Sequence, residues 1–156
     1  MIYLCHLKNL LMILAVILCV PQLQAESYMP WQVTGDAIVQ PLGGLRGDAE
    51  RGRQIAINRS KGNCLACHQL PIPDEEFQGT VGPPLDGVGS RLNAGQIRLR
   101  IVDEKRINPM TIMPGFYRDP DQLHRVLDEY VGKTLLNAQE VEDVVAYLLM
   151  LRETHQ

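Results

Sequence analysis

Two cysteines and a histidine stand within five residues in the string "CLACH", which supplies Cys64, Cys67 and His68. One helical turn places residues three apart on the same side, so both thiols can bond to one group. The imidazole that follows is a good ligand for iron. The string therefore predicts one covalently attached haem c, with thioether bonds from Cys64 and Cys67 and with His68 as an axial ligand of the iron.

Two other uses of this string compete with haem attachment. A thioredoxin-like redox pair needs a βαβ pattern around it, and the chain shows no such pattern. A zinc site needs two further ligands, and the chain has no second C-x-x-C string. Haem attachment is therefore the preferred interpretation.

The iron also needs a second axial ligand, for which loop methionines are the best candidates. Met113 lies 45 residues after His68, in the string "TIMP". A residue before proline is held in extended backbone, so Met113 can reach across one face of a haem. Met110 is a rival on the same loop. A Met/His pair raises the reduction potential and fills both axial positions, which suits electron transfer.

The second nitrogen of His68 needs a hydrogen-bond acceptor. A ligating imidazole usually donates this N–H to a carbonyl or a carboxylate. Pro83, in "VGPPL", has a free carbonyl and no N–H of its own. Pro83 is therefore the candidate acceptor, and an ordinary turn proline is the alternative.

Other side chains that could contact a haem are expected to have only structural roles. Met150 is expected in the core of the last helix. His124 and His155 are expected at the surface. Arg91 and Trp31 are candidates for contacts with the haem propionates, but a surface arginine and a tryptophan packed on the domain are the preferred interpretations.

The first 25 residues predict an export signal. Lys8 precedes the unbroken apolar run "LLMILAVILCV" at residues 10–20, and "LQA" ends at Ala25. Eleven apolar residues are too few to span a bilayer but suit the apolar region of a signal peptide. Cleavage is expected after Ala25, and an uncleaved membrane anchor is the alternative.

Length, charge and cysteine count narrow the class of protein. The 156 residues suffice for one domain. Without residues 1–25 the chain has 14 basic and 18 acidic residues, a net charge of −4, which gives no support to a nucleic-acid partner. Cleavage also removes Cys5 and Cys19, so no disulfide framework is expected beyond the "CLACH" pair.

Four helices are predicted where a polar N-cap precedes apolar residues at helical spacing. Their expected ranges are 49–58 after Asp48, 94–103 after Asn93, 120–130 after Asp119 and 138–151 after Asn137. Glycine and proline mark loops at residues 69–90 and 108–118. Residues 26–46 lack helical periodicity and predict an extended arm over a cytochrome c domain formed by residues 47–156. No strand with a partner is predicted, so the fold class is all-α.

The order of these motifs resembles that of class I cytochromes c. The resemblance is carried by "GDAERGRQIA", "CLACH", "VGPPLDGVGSR", "TIMP" and "EVEDVVAYLLMLR". It implies that Gly52 packs against Tyr147 of the last helix. It also implies that the Pro83 carbonyl orients His68 and that Met113 is the second axial ligand.

A narrower resemblance covers roughly residues 30–152. The strings "LDGVGSRLNAGQIRLRIVDEKRINPMTIMPGFYR" and "LNAQEVEDVVAYLLMLR" are similar to the SoxX family. SoxX proteins are monohaem subunits of periplasmic SoxAX cytochromes, which oxidatively join thiosulfate to a cysteine of the carrier SoxYZ.

The resemblance to SoxX implies a function for this chain. The chain would be the electron-transfer subunit of an L-cysteine S-thiosulfotransferase, with a SoxA-like c-type cytochrome as partner and a downstream cytochrome as electron acceptor. No residue of this chain is expected to be catalytic, because haem attachment uses both remaining thiols. The alternatives are a free-standing electron shuttle and a haem enzyme such as a peroxidase.

Overall fold

The computed structural model describes residues 28–153, so the expected signal peptide, its cleavage point and His155 lie outside the described residues. The described chain forms four α-helices: α1 (Ala49–Ile57), α2 (Val88–Arg91), α3 (Ala94–Asp103) and α4 (Ala138–Met150). Single 3-10 turns occur at Leu42–Gly44, Cys64–Ala66, Glu104–Arg106, Pro120–Gln122 and Asp128–Tyr130. Its β-structure is one isolated bridge between Thr34 and Ala37, so the all-α class is confirmed.

The first and last helices cross at close range. A Cβ atom at Gly52 would overlap the Asp143 carbonyl oxygen and would lie 2.9 Å from Tyr147 Cβ, so only glycine fits at this crossing. This confirms the packing of Gly52 against Tyr147. Asp48 caps α1 by accepting from the Arg51 N–H, and its own N–H donates to Asp143 Oδ1 at 2.7 Å. The cap therefore also fixes α1 against α4.

The predicted N-caps of α3 and α4 are confirmed, and each belongs to a capping box. Asn93 exchanges hydrogen bonds with Gln96, and Asn137 exchanges them with Glu140. These bonds satisfy N–H groups that the first turn of a helix leaves free. The apolar stripe of α4 is buried; it consists of Val141, Val144, Val145 and Leu148.

The helix predicted over residues 120–130 is wrong. This segment forms only the two 3-10 turns at its ends, and Leu123 between them has extended backbone. Its apolar residues do not enter the core, since Val126 and Leu127 are both exposed. Most helical stability in proteins comes from packing of the apolar face, so periodicity without burial does not produce a helix here.

Two smaller expectations are also corrected. The predicted loop at residues 69–90 ends early, because α2 begins at Val88 and approaches α4 so closely that a Cβ at Gly89 would overlap the Leu149 carbonyl. Met150 is 68% exposed and is not part of the core, because it lies on the outer face of α4. Within residues 28–153 no helix has the length and apolar character needed to cross a membrane.

Residues 28–46 lie over α3 and α4 and are fixed there by a buried ion pair. Arg98 donates to both Glu142 oxygens at 2.7 and 2.8 Å, and each side chain is about 3% exposed. Arg98 also donates to the Ile38 carbonyl at 2.7 Å. The Leu42 N–H donates to Glu142 Oε1 at 2.9 Å. One ion pair therefore joins two helices and the N-terminal segment.

Candidate functional site

The residues of the "CLACH" string lie on a tight turn that follows α1. Asn63 precedes it with φ +46°, in the left-handed region that asparagine tolerates better than most residues. The N–H groups of Cys67 and His68 both donate to the Cys64 carbonyl, at 3.1 and 2.9 Å. The turn therefore brings both thiols and the imidazole together in one hydrogen-bonded unit.

Cys64 and Cys67 are free thiols and are both partly buried. Burial raises the pKa of the Cys64 thiol to about 11, so this sulfur carries its proton at neutral pH. Two thiols three residues apart are suited to addition across two vinyl groups of one macrocycle. The pair can therefore hold a cofactor covalently.

His68 has one ring nitrogen occupied and the other available. Its Nδ1 donates to the Pro83 carbonyl oxygen at 2.7 Å. A carbonyl only accepts, so the proton is on Nδ1 and the Nε2 lone pair is available to a metal. A Cβ atom at Gly82 would overlap the imidazole and would lie 2.6 Å from Nδ1. Glycine is therefore required for the Gly82–Pro83 backbone to approach the ring this closely.

Two backbone hydrogen bonds hold the Gly-Pro loop against the haem string. The Gly79 N–H donates to the Leu65 carbonyl at 2.7 Å, and the Gly82 N–H donates to the Cys67 carbonyl at 2.8 Å. A Cβ at Gly79 would overlap the Ala66 carbonyl, so this approach also needs glycine. The position of Pro83 beside the histidine thus follows from the loop backbone.

Met113 is placed on a separate loop, residues 108–118, which has no helix, as predicted. Its side chain is partly buried and packs against the core, and its N–H donates to Thr111 Oγ1 at 3.1 Å. Met110, its rival, is 87% exposed. Burial therefore favours Met113 as the methionine that faces the interior of the protein.

A cavity of about 450 Å³ opens beside Met113. Its apolar wall consists of Ile112, Met113, Pro114, Leu123, Val126, Leu127, Tyr130 and Leu135, and its cations are Lys105, Arg118 and Lys133. None of Cys64, Cys67 and His68 lines this cavity, so it is an apolar recess beside the methionine loop and not a pocket that the loop shares with the haem string. The segment expected to be a helix at residues 120–130 thus lines this cavity. The helical spacing of these apolar residues was the sequence signal, and it predicted a helix where the structure has a cavity wall.

One carboxylate near the site was not expected from the sequence. Glu104 follows α3, and its Oε2 is buried without a hydrogen-bond partner, 3.9 Å from Arg100 Nε. Burial raises the pKa of Glu104, and the opposing effects of Arg100 and His68 do not cancel that increase. Glu104 therefore lies within electrostatic reach of the histidine.

These residues fit a covalently attached haem. Cys64 and Cys67 offer two adjacent sulfurs, and His68 offers a fixed ring with a free nitrogen. Met113 offers a partly buried thioether beside an apolar cavity. His124, which was given no ligand role, is exposed.

Comparisons with known proteins identify a family and similar solved structures. Residues 49–152 match the family model described as Cytochrome c. The crystal structure of SoxXA from P. pantotrophus is similar at 40% sequence identity, with a TM-score of 0.71. The match covers 79% of this chain and 95% of that chain. No curated protein matches the chain at a significant level.

Proposed function

Because the chain belongs to the cytochrome c family and, within it, to the SoxX group, we propose that it is the electron-transfer subunit of a SoxAX-like L-cysteine S-thiosulfotransferase. A covalently bound haem c is its cofactor. When bound, haem c supplies an iron that gains and loses one electron. In this proposal Cys64 and Cys67 would form the thioether bonds, and His68 and Met113 would ligate the iron.

The strongest support for this ligand set is the contact between His68 Nδ1 and the Pro83 carbonyl. It fixes the ring orientation and leaves Nε2 for the iron, as carbonyl and carboxylate acceptors do for metal-bound histidines. With Met113 as the other ligand, both axial positions belong to the protein. Such a site supports electron transfer and argues against a peroxidase, which needs an open axial position.

The cysteine content of this chain supports a role in electron transfer and not in binding the sulfur substrate. Cys64 and Cys67 are the cysteines of residues 28–153, and thioether formation leaves neither free to bind thiosulfate. The reacting thiol belongs to the SoxYZ carrier. That thiol and thiosulfate form a cysteine S-thiosulfonate, and one proton and two electrons are released. The sulfur chemistry takes place on the SoxA-like c-type partner, and this subunit passes the electrons on singly to an acceptor cytochrome.

The proposed location is the periplasm, after cleavage of residues 1–25. The export signal predicted from the sequence supports this location, which is also where a c-type cytochrome of sulfur oxidation would meet its partners. The similarity to SoxXA supports a heterodimer with a SoxA-like cytochrome. A free-standing electron shuttle would need neither this partner nor the carrier.

Gentle purification of the native protein from the periplasm, followed by mass spectrometry of the associated proteins, tests the proposal. We expect a second c-type cytochrome in fixed ratio and an N-terminus at Glu26. A lone red monomer that does not respond to thiosulfate in the presence of the carrier would contradict the SoxAX assignment. That outcome would not contradict the assignment of the haem ligands, and it would favour a free-standing electron-shuttle cytochrome.

A further inference from the structure

Three groups of the N-terminal segment converge on Tyr117, four residues after Met113. The Met29 N–H donates to the Tyr117 hydroxyl at 2.8 Å. Trp31 Nε1 donates to the Tyr117 carbonyl at 3.2 Å. The Tyr28 ring stacks on the Tyr117 ring, with centroids 5.2 Å apart and an interplanar angle of 28°. Tyr117 is 2% exposed, so these contacts lie at a buried anchor.

Tyr117 also belongs to the attachment of the methionine loop to α3. The Phe116 N–H donates to the Ile101 carbonyl at 3.0 Å, and the Tyr117 N–H donates to the Val102 carbonyl at 3.3 Å. The Phe116 carbonyl accepts from the Leu136 N–H at 3.0 Å. The end of the loop is therefore fixed both to α3 and to the segment that leads into α4.

The same N-terminal segment contacts the beginning of the loop. The Arg106 guanidinium lies over the Trp31 ring, 5.5 Å from its centroid, which is a cation–π distance. Arg106 ends the 3-10 turn that follows α3, and Tyr117 lies beyond Met113. Trp31 thus contacts one residue on each side of Met113: Arg106 just before the loop and Tyr117 near the end of the loop.

We propose that residues 28–31 form a clamp that holds the Met113 loop closed, and that Trp31 and Tyr117 are positioning residues for the methionine ligand. The inference rests on the proposed function, because it takes Met113 as an axial ligand. A soft thioether is a weak ligand for oxidised iron, so the bond from Met113 to the iron does not by itself hold the loop closed. Each clamp contact is lost when the loop swings out, which raises the free energy of the open state.

Substitution of Trp31 in the full holoprotein tests the clamp. Trp31→Ala removes the hydrogen bond and the cation–π contact, and Trp31→Phe removes the hydrogen bond while keeping an apolar ring. We expect imidazole to displace the methionine roughly tenfold more readily in Trp31→Ala, since one lost hydrogen bond is worth about a factor of ten. The pH at which the Met–iron charge-transfer band disappears should fall in both variants.

The matched control is Val33→Ala, on the same segment but 40% exposed and outside the clamp contacts. It should leave imidazole affinity unchanged. If Trp31→Ala lowers thermal stability but leaves imidazole affinity and the spectral transition as in the wild type, Trp31 is merely structural and the clamp is wrong. If Trp31→Ala does not fold, the imidazole affinity and the spectral transition of Trp31→Phe are compared with those of the wild type, and unchanged values show that the clamp is wrong.

The wild-type spectrum separates failure of the clamp from failure of the proposed ligands. An oxidised wild-type protein without a Met–iron band overturns Met113 as a ligand and the clamp with it. A wild-type protein with that band, together with unaltered imidazole binding in both Trp31 variants, overturns the clamp alone.

Discussion

The Pro83 carbonyl oxygen lies 2.7 Å from His68 Nδ1, and this contact exists because Gly82 has no side chain. A carbonyl that orients the imidazole can approach only along a backbone that passes against the ring. Gly82 is therefore as important to the histidine as the Pro83 carbonyl that accepts its hydrogen bond.

Gly82→Ala should disturb the histidine without touching the iron. The added Cβ would overlap the imidazole, so the ring or the Gly-Pro loop must move. We expect a lower yield of haem-bearing protein and an altered visible spectrum, measured by haem staining and absorption. Gly132→Ala is the control, because an added Cβ at Gly132 would meet no other atom. Since Gly132 has φ +70°, this substitution should cost only about 1 kcal/mol of backbone strain. Equal spectra for the two variants would refute the steric account.

Met113→Ala should remove the methionine spectrum and lower the reduction potential, since methionine ligation raises it. Met110→Ala is the matched variant on the same loop, and it should leave both properties unchanged because Met110 is 87% exposed. Optical redox titration of the two purified variants makes the comparison. If the effect follows Met110 and not Met113, the axial assignment is wrong.

The buried pair Arg98–Glu142 should control the stability of the fold. Arg98→Met leaves Glu142 charged and unpaired in the core, which should lower the free energy of unfolding by about 3–5 kcal/mol. Guanidinium denaturation of the holoprotein measures it.

The double variant Arg98→Met/Glu142→Leu is the control for this pair. It removes both charges, so it should be more stable than Arg98→Met alone, although the Leu42 N–H loses its acceptor. A double variant less stable than the single would show that the pair is not the source of the effect.

Asp143 should make the free energy of unfolding depend on pH in the acidic range. Burial acts to raise the pKa of Asp143, but hydrogen bonds from Arg51, the Asp48 N–H and Gln139 outweigh it, so the pKa lies below its usual 3.8. A lowered folded-state pKa means that the stabilisation is complete above about pH 3.8 and is lost as the pH falls through the folded value.

Asp143→Asn measures this contribution. At pH 7 the variant should be less stable than the wild type by about 1–3 kcal/mol, since charged hydrogen bonds are lost. The difference should shrink as the pH falls below 3.8. Denaturation midpoints at several pH values give the profile, and Asp86→Asn, at an exposed position, is the control. A difference that is constant with pH would contradict the linkage.

Apart from the packing of Gly52 against Tyr147, which the resemblance to class I cytochromes c implied, the features that were predicted correctly from the sequence are local. The N-caps Asn93 and Asn137 each bond to a residue three positions on, and the haem string is five residues long. The helix predicted at 120–130 failed because burial of its apolar residues depends on distant parts of the chain. Arg98 and Glu142 are 44 residues apart in the sequence, and Trp31 and Tyr117 are 86 residues apart. A short sequence pattern therefore does not predict either contact.

In the proposed reaction this subunit receives the electrons that are released when thiosulfate is joined to the carrier. The most direct measurement mixes the oxidised subunit with its SoxA-like partner, the SoxYZ carrier and thiosulfate, and follows the visible spectrum together with the carrier's mass. We predict reduction of this subunit only when all components are present, in step with a thiosulfate adduct on the carrier. Adduct formation that proceeds equally well without this subunit, or reduction by thiosulfate without the partner and the carrier, would contradict the account.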